Sequence, residues 1–118
     1  MLFRSLGPTL LGLSDPGRMV IVDCLTLWLT QCLMPPAPAA APPGGWAAER
    51  QALMEALHAT RSPLVLVSNE IGLGVMPPSP EARDFVDALG WLHQAVAECC
   101  ARVTLMVAGC EWPVKGAA

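Results

Sequence analysis

The sequence has few charged residues and no cluster of basic ones. Charged side chains make up 14% of the 118 residues, whereas 53% are hydrophobic, and this composition excludes an intrinsically disordered chain. The seven lysines and arginines are scattered, and the formal net charge is −3. Because nucleic acids and anionic membrane surfaces bind clustered positive charge, we expect neither as a partner.

The chain also lacks long apolar runs and closely spaced cysteines. The apolar run from Leu25 to Met34 ends at Pro35 and is too short to span a bilayer. The first residues do not form a convincing secretory signal, because Gly7 and Pro8 interrupt them. The five cysteines contain no Cys-x-x-Cys pair, so no zinc site is predicted. Four of them, Cys24, Cys32, Cys99 and Cys110, lie in apolar surroundings and are expected to behave as small hydrophobic residues in a reducing cytoplasm.

Short apolar strands that alternate with helices predict one α/β domain over residues 1–118. The strands are predicted at residues 18–23, 64–67 and 103–107, and the helices at 25–33, 46–60 and 80–100. Residues 10–13 could be the end of another helix, although Gly12 weakens that prediction. Residues 34–45 form a proline-rich loop. Right-handed crossovers between such strands imply a parallel sheet.

Polar residues follow the first two predicted strands. In an open α/β sheet, ligands bind at the carboxyl ends of the strands. Asp23 ends the first strand, and Ser68, Asn69 and Glu70 follow the second. Two carboxylates at such an edge are typical magnesium ligands, directly or through water, so Asp23 and Glu70 are the candidate Mg²⁺ residues. An acidic residue also suits a turn, so Asp23 alone does not distinguish a magnesium ligand from a turn residue.

Two glycines and the histidines leave further alternatives open. Gly72 and Gly74 allow positive φ angles and close approach of the backbone to a ligand, or they serve only a tight loop. His58 and His93 fall within predicted helices, and we interpret both as surface or packing residues away from the strand tips. Ser68 lacks the glycine-flanked context of a hydrolase nucleophile, so a hydrolase triad is not predicted.

Several ungapped motifs in order resemble one enzyme family. They are VIVDCLTLWLT at residues 20–30 and VSNEIGLGVMP at residues 67–77. The similarity continues at Arg83, Phe85, Asp87, Gly90, Gln94, residues 107–109 and Lys115. Over residues 18–116 the chain resembles the bifunctional adenosylcobinamide kinase/adenosylcobinamide-phosphate guanylyltransferases of cobalamin biosynthesis.

The resemblance implies a parallel-sheet, RecA-like P-loop fold, a homotrimer and two enzymatic activities. One phosphorylates adenosylcobinamide with ATP or GTP. The other transfers GMP from GTP to the resulting phosphate through a guanylylated histidine. Asp23 matches the family's acidic GTP-binding position. We expect Glu70 to lie nearby as a second acid that acts on the metal or on the substrate hydroxyl. Ser68, Asn69, Gly72 and Gly74 are expected to line the same ligand site.

The chain departs from the family pattern in its phosphate-binding parts. No Gly-x-x-x-x-Gly-Lys-Ser/Thr motif occurs in the 118 residues, and neither His58 nor His93 matches the nucleotide-bearing histidine. Three basic positions of the family are Asp84, Val86 and Trp91 here, and a family asparagine is His93. We therefore expect an N-terminally truncated, incomplete and inactive portion of the enzyme. The alternative is a non-catalytic α/β module that packs against a partner chain.

Overall fold

The computed structural model describes residues 5–116. Its helices are α1 (Leu6–Gly12), α2 (Leu25–Leu33), α3 (Gly45–Ala59) and α4 (Pro80–Cys99). Its strands are β1 (Val20–Asp23), β2 (Leu64–Val67), β3 (Val103–Val107) and β4 (Cys110–Lys115). A 3₁₀ turn, Pro38–Ala40, lies within the proline-rich loop. The predicted α/β class is confirmed, and the three predicted strands agree with β1, β2 and β3.

Strands β1 and β2 form a parallel pair, as predicted. Their register joins Val20 to Leu64 and continues to Asp23, which pairs with Val67. The two strands therefore end level with each other, and the residues that follow them meet at one edge of the sheet. This edge carries the candidate site.

Within residues 5–116, the helices cover one face of this parallel pair and leave the other open. Val22 is 9% exposed and points to the helices, whereas Ile21 is 62% exposed on the other face. Side chains alternate along a strand, so Asp23, Val65 and Val67 share the open face with Ile21. The site edge can thus be approached from a helix-covered side and from an open side.

The core lies between the helices and the covered face of the sheet. Leu29 of α2, Leu53 of α3 and Leu92 of α4 are fully buried. Each such leucine contributes about 1.5–3 kcal/mol through the removal of its side chain from water. Trp28 and Trp46 meet edge to face with their ring centroids 5.2 Å apart, which fixes α2 against the start of α3.

Strand β3 does not lie beside the parallel pair, so the prediction of a third parallel strand is wrong. It pairs antiparallel with β4, which the sequence pattern did not predict, and forms a separate two-stranded sheet. Ala108 and Gly109 connect the two strands with φ angles of 52° and 75°, as a tight two-residue hairpin turn requires. Lys115 Nζ donates to the Ala97 carbonyl oxygen at 2.7 Å and ties this hairpin to the end of α4.

The cysteines differ in burial. Cys32 is buried, and burial, followed by the charge of Glu49, raises the pKa of its thiol to about 12. Cys99 and Cys110 are exposed, so the expectation of a small hydrophobic residue is wrong for these two. No helix among the described residues is long and apolar enough to cross a membrane.

Candidate functional site

Ser68 follows β2 and places its hydroxyl on the helix-covered side of the sheet. Its Oγ lies 2.6 Å from Nε2 of His93 and 3.3 Å from Oγ1 of Thr26. Ser68 is half-buried at this point. One hydroxyl therefore joins the end of β2 to two different helices.

Thr26 occupies this position because α2 begins directly after β1. The first turn of α2 lies beside the end of β2, since the two strands end level with each other. Oγ1 of Thr26 accepts a hydrogen bond from the backbone N–H of Asn69 at 3.0 Å. Thr26 thus fixes the start of the loop that follows β2, and the sequence analysis did not identify it.

His93 reaches the site from the core-facing side of α4. It lies four residues after Leu89 and three before Val96, and both of these residues are buried. Its side chain is 24% exposed, and its Nδ1 lies 3.7 Å from Oε2 of Glu70. The prediction that His93 lies away from the strand tips is therefore wrong. His58 lies on α3 and instead approaches the Cys99 thiol, with 3.8 Å between Nε2 and Sγ.

Glu70 is held by its own loop. Its Oε1 accepts a hydrogen bond from the Gly72 N–H at 2.7 Å, and a Cβ atom on Gly72 would lie 3.0 Å from that oxygen. Gly72 therefore permits close approach to a carboxylate. Neither Gly72 nor Gly74 is among the described glycines with positive φ, so that part of the prediction is wrong.

The far end of the loop is fixed to the start of α4. The Arg83 guanidinium donates to the carbonyl oxygens of Pro77 and Pro78, and Ser79 caps the helix by accepting the Ala82 N–H at 3.1 Å. Pro80 is the first residue of α4, as predicted. A groove of about 500 Å³ lies along this segment. Its lining is mostly apolar: Met34, Ile71, Pro77, Ser79, Glu81, Ala82, Phe85 and Val86.

Asp23 lies at the same edge of the sheet but on its open side. Its carboxylate is exposed and makes no side-chain hydrogen bond with the residues that the structure describes. Ser68 and Glu70 instead contact α4 on the covered side. The structure thus brings Ser68, Glu70 and Gly72 together with Thr26 and His93, whereas Asp23 faces a separate approach to the edge.

The donor set fits a metal–nucleotide complex better than a protein-enclosed metal. Within residues 5–116, no group of three or more His, Cys, Asp or Glu side chains is placed to hold a metal ion. Mg²⁺ is usually held by one or two carboxylates together with water and substrate phosphates. Asp23 fits such a role because its carboxylate is exposed and is not engaged by a described side chain.

Comparison with known proteins places these features in a family. A sequence profile described as cobinamide kinase / cobinamide phosphate guanyltransferase matches residues 4–114. A bifunctional adenosylcobalamin biosynthesis protein of Pseudomonas aeruginosa is 47% identical over 112 residues, which are 95% of this chain and 62% of that protein. One of Escherichia coli is 31% identical over an alignment of 110 positions that covers 86% of this chain and 60% of that protein. The chain spans about 60% of the length of these relatives. By its profile match and its sequence identity, the chain belongs to the cobinamide kinase / cobinamide phosphate guanyltransferase family.

Proposed function

We propose that the chain forms part of a bifunctional enzyme of cobalamin biosynthesis. The enzyme phosphorylates adenosylcobinamide with ATP or GTP and then transfers GMP from GTP to give adenosyl-GDP-cobinamide. One observation carries the proposal: Asp23 and the segment from Ser68 to Glu70 lie at the same carboxyl edge of a parallel strand pair, where α/β proteins bind ligands. The family match supports the choice of substrates.

Asp23 is the proposed contact to GTP and to its Mg²⁺ ion. The exposed carboxylate on the open side of the edge can accept hydrogen bonds from a nucleotide or from water on the metal. Mg²⁺ supplies positive charge that neutralises the phosphate oxygens. Glu70 is the second proposed metal or acid–base residue, and its two oxygens face the Gly72 N–H and the His93 ring.

The loop and the groove are the proposed cobinamide side of the site. Ser68, Asn69, Gly72 and Gly74 belong to the loop between β2 and α4, and Ile71 and Pro77 of the same loop line the groove. Ile71 and Phe85 give the groove apolar walls that can pack against the edge of a large ring system. Replacement of Ile71, which is 39% exposed, by serine is expected to weaken cobinamide binding without loss of core packing.

We propose that these 118 residues do not complete the reaction by themselves. They contain no Gly-x-x-x-x-Gly-Lys-Ser/Thr motif, which in P-loop proteins surrounds the nucleotide phosphates with N–H groups and a lysine. The complete enzyme is proposed to have a RecA-like P-loop fold, to be trimeric and to act in the cytoplasm. The chain alone is then expected to bind GTP weakly, and a micromolar Kd in a calorimetric titration with GTP and Mg²⁺ would contradict this.

A chimaera tests the proposed activity. The 112 residues of the Pseudomonas relative that match this chain would be replaced by the chain itself. We expect the chimaera to convert adenosylcobinamide and GTP into adenosyl-GDP-cobinamide, measured by chromatography of the corrinoid products. A folded chimaera without either activity, beside an active unaltered relative, would count against the proposal.

A second candidate function is a non-catalytic module that packs against a partner chain. The open face of the parallel pair favours it, because Ile21, Val65 and Val67 are 62%, 42% and 40% exposed there. Apolar side chains on the uncovered face of a sheet are typical of a protein interface. Size-exclusion chromatography of the chain, alone and mixed with a P-loop partner, distinguishes the two functions. If the chain is a non-catalytic module, we expect it to form a stable complex with the partner and the chimaera to be inactive.

A further inference from the structure

We propose that Ser68 is an activated nucleophile that accepts an acyl group from a carboxylic ester, with His93 as its base and Glu70 as the residue that orients the imidazole. This activity goes beyond the proposed cobinamide chemistry and does not depend on it. The three side chains come from the end of β2, from the loop after it and from α4.

Serine, histidine and carboxylate follow one another in the order of a catalytic triad, with the serine–histidine contact within hydrogen-bond distance and the histidine–carboxylate contact outside it. Ser68 Oγ lies 2.6 Å from His93 Nε2, which is within reach for direct proton transfer. The other ring nitrogen, Nδ1, lies 3.7 Å from Glu70 Oε2. Such contacts are often loose without substrate and tighten when it binds. Triads recur on unrelated folds and are recognised by this geometry and not by sequence context.

The hydrogen-bond donors and acceptors around Ser68 direct its proton towards His93. Thr26 Oγ1 accepts the N–H of Asn69 and retains its own hydrogen, which it can donate to Ser68 Oγ. The Ser68 hydrogen is then free to point to Nε2. With Nε2 as acceptor, the neutral ring carries its proton on Nδ1, the nitrogen that faces the Glu70 carboxylate. This is the tautomer that a catalytic triad uses.

Ser68 lies at a solvent-exposed end of the strand pair. It is half-buried, and the neighbouring Asn69, Glu70 and Ile71 are exposed, so the strand tip is open to solvent. The carboxylate is already held near the ring, because the Gly72 N–H donates to Glu70 Oε1 at 2.7 Å while Oε2 lies 3.7 Å from His93 Nδ1. A histidine that served only to pack the core would have neither a solvent-exposed strand end nor the Glu70 carboxylate beside it.

The acylation step balances as follows. Ser68 Oγ forms a bond to the ester carbonyl carbon while its proton passes to His93 Nε2. The tetrahedral intermediate then breaks the bond between that carbon and the alcohol oxygen. The alcohol leaves with the proton from His93, so that Ser68 carries the acyl ester and the imidazole is neutral again.

A fluorophosphonate probe tests the nucleophile on the full 118-residue chain. Ser68 Oγ would form a bond to phosphorus, fluoride would leave, and mass spectrometry would locate the adduct. We expect the adduct on Ser68 and not on exposed Ser79, and its loss in Ser68→Ala. In His93→Gln the amide still holds Ser68 but cannot take its proton, so labelling is expected to slow by about 100-fold.

Two further variants separate catalysis from structure. Glu70→Gln lies on the exposed loop and is expected to slow labelling by about tenfold, while His58→Gln, the matched histidine on α3, leaves the rate unchanged. Added imidazole is expected to restore labelling in His93→Gly. Absence of an adduct on Ser68, or equal rates for the unaltered chain and folded His93→Gln, would overturn the proposal. If His93→Gln does not fold, the Glu70→Gln rate decides.

Discussion

The hydrogen bond between Ser68 and His93 should contribute measurably to the stability of the chain. It is short, at 2.6 Å, and it joins the end of β2 to α4 at a point where the His93 side chain is only 24% exposed. A part-buried neutral hydrogen bond contributes about 1 kcal/mol net, and truncation of one partner costs more because the other loses its bond. We therefore expect Ser68→Ala and His93→Ala each to lower the free energy of unfolding by about 1–2 kcal/mol.

A double-mutant cycle isolates this contact. If Ser68 and His93 interact as described, the double variant loses about 1 kcal/mol less than the sum of the two single losses. The entropy of unfolding for a chain of 118 residues is about 0.25 kcal/mol per kelvin, so each single variant should lower Tm by roughly 4–8 °C. Urea unfolding followed by circular dichroism gives the free energies directly.

The control cycle pairs His93→Ala with Ser79→Ala. Ser79 caps α4 through the Ala82 N–H and makes no hydrogen bond with His93 among the described residues, so its effect should add to within about 0.5 kcal/mol. A Ser68–His93 coupling no larger than that of the control would refute the contact on which the site geometry depends.

Other parts of the fold lead to further expectations. Leu53→Ala should lower the free energy of unfolding by about 2–5 kcal/mol because the side chain is fully buried, whereas Leu27→Ala, at a position 63% exposed, should change it little in the same urea assay. Ser62→Ala should cost about 1–3 kcal/mol, since the buried Ser62 hydroxyl accepts the Asp15 N–H at 2.8 Å, and an unchanged Tm would contradict this. The raised pKa of Cys32 favours the folded state fully below pH 9.0 and progressively less as the pH rises towards about 12, so the free energy of unfolding should fall over that window. The fall should persist in Cys110→Ala, whose thiol is exposed, and should lessen in Cys32→Ala.

The local structure could be read from the sequence where one pattern dominated. The β-branched run before Asp23, the residues from Leu64 to Val67 and the spacing in α4 each predicted one element, and each is present. Strand β4 could not be predicted in this way, because Pro113 argues against a strand. Pro113 is tolerated in β4 because it lies at the register shift opposite Val103 and Thr104. The partner of β3 was predicted wrongly because an apolar strand pattern does not specify which strand it pairs with.

The candidate site was predictable in part. Asp23 and Ser68 lie at one edge of the sheet because the parallel strands β1 and β2 end at the same level, as strand order and polarity imply. The side of the sheet on which each residue lies depends on alternation along the strand, and this separates Asp23 from Ser68. The role of His93 was overlooked although its spacing from Leu89 and Val96 marks it as core-facing, and Thr26 gave no signal until the strand register placed α2 beside the end of β2.

The affinity of the chimaera for GTP in the presence of Mg²⁺ tests the central claim most directly, because Asp23 is proposed as the nucleotide contact of this edge. A lost hydrogen bond to a charged group costs about 1.5–3 kcal/mol, so Asp23→Asn should raise the Kd roughly 10- to 100-fold in a calorimetric titration. Glu98→Gln, at an exposed position on α4, should leave the Kd unchanged. An Asp23→Asn chimaera that binds GTP as tightly as the unaltered chimaera would contradict the account.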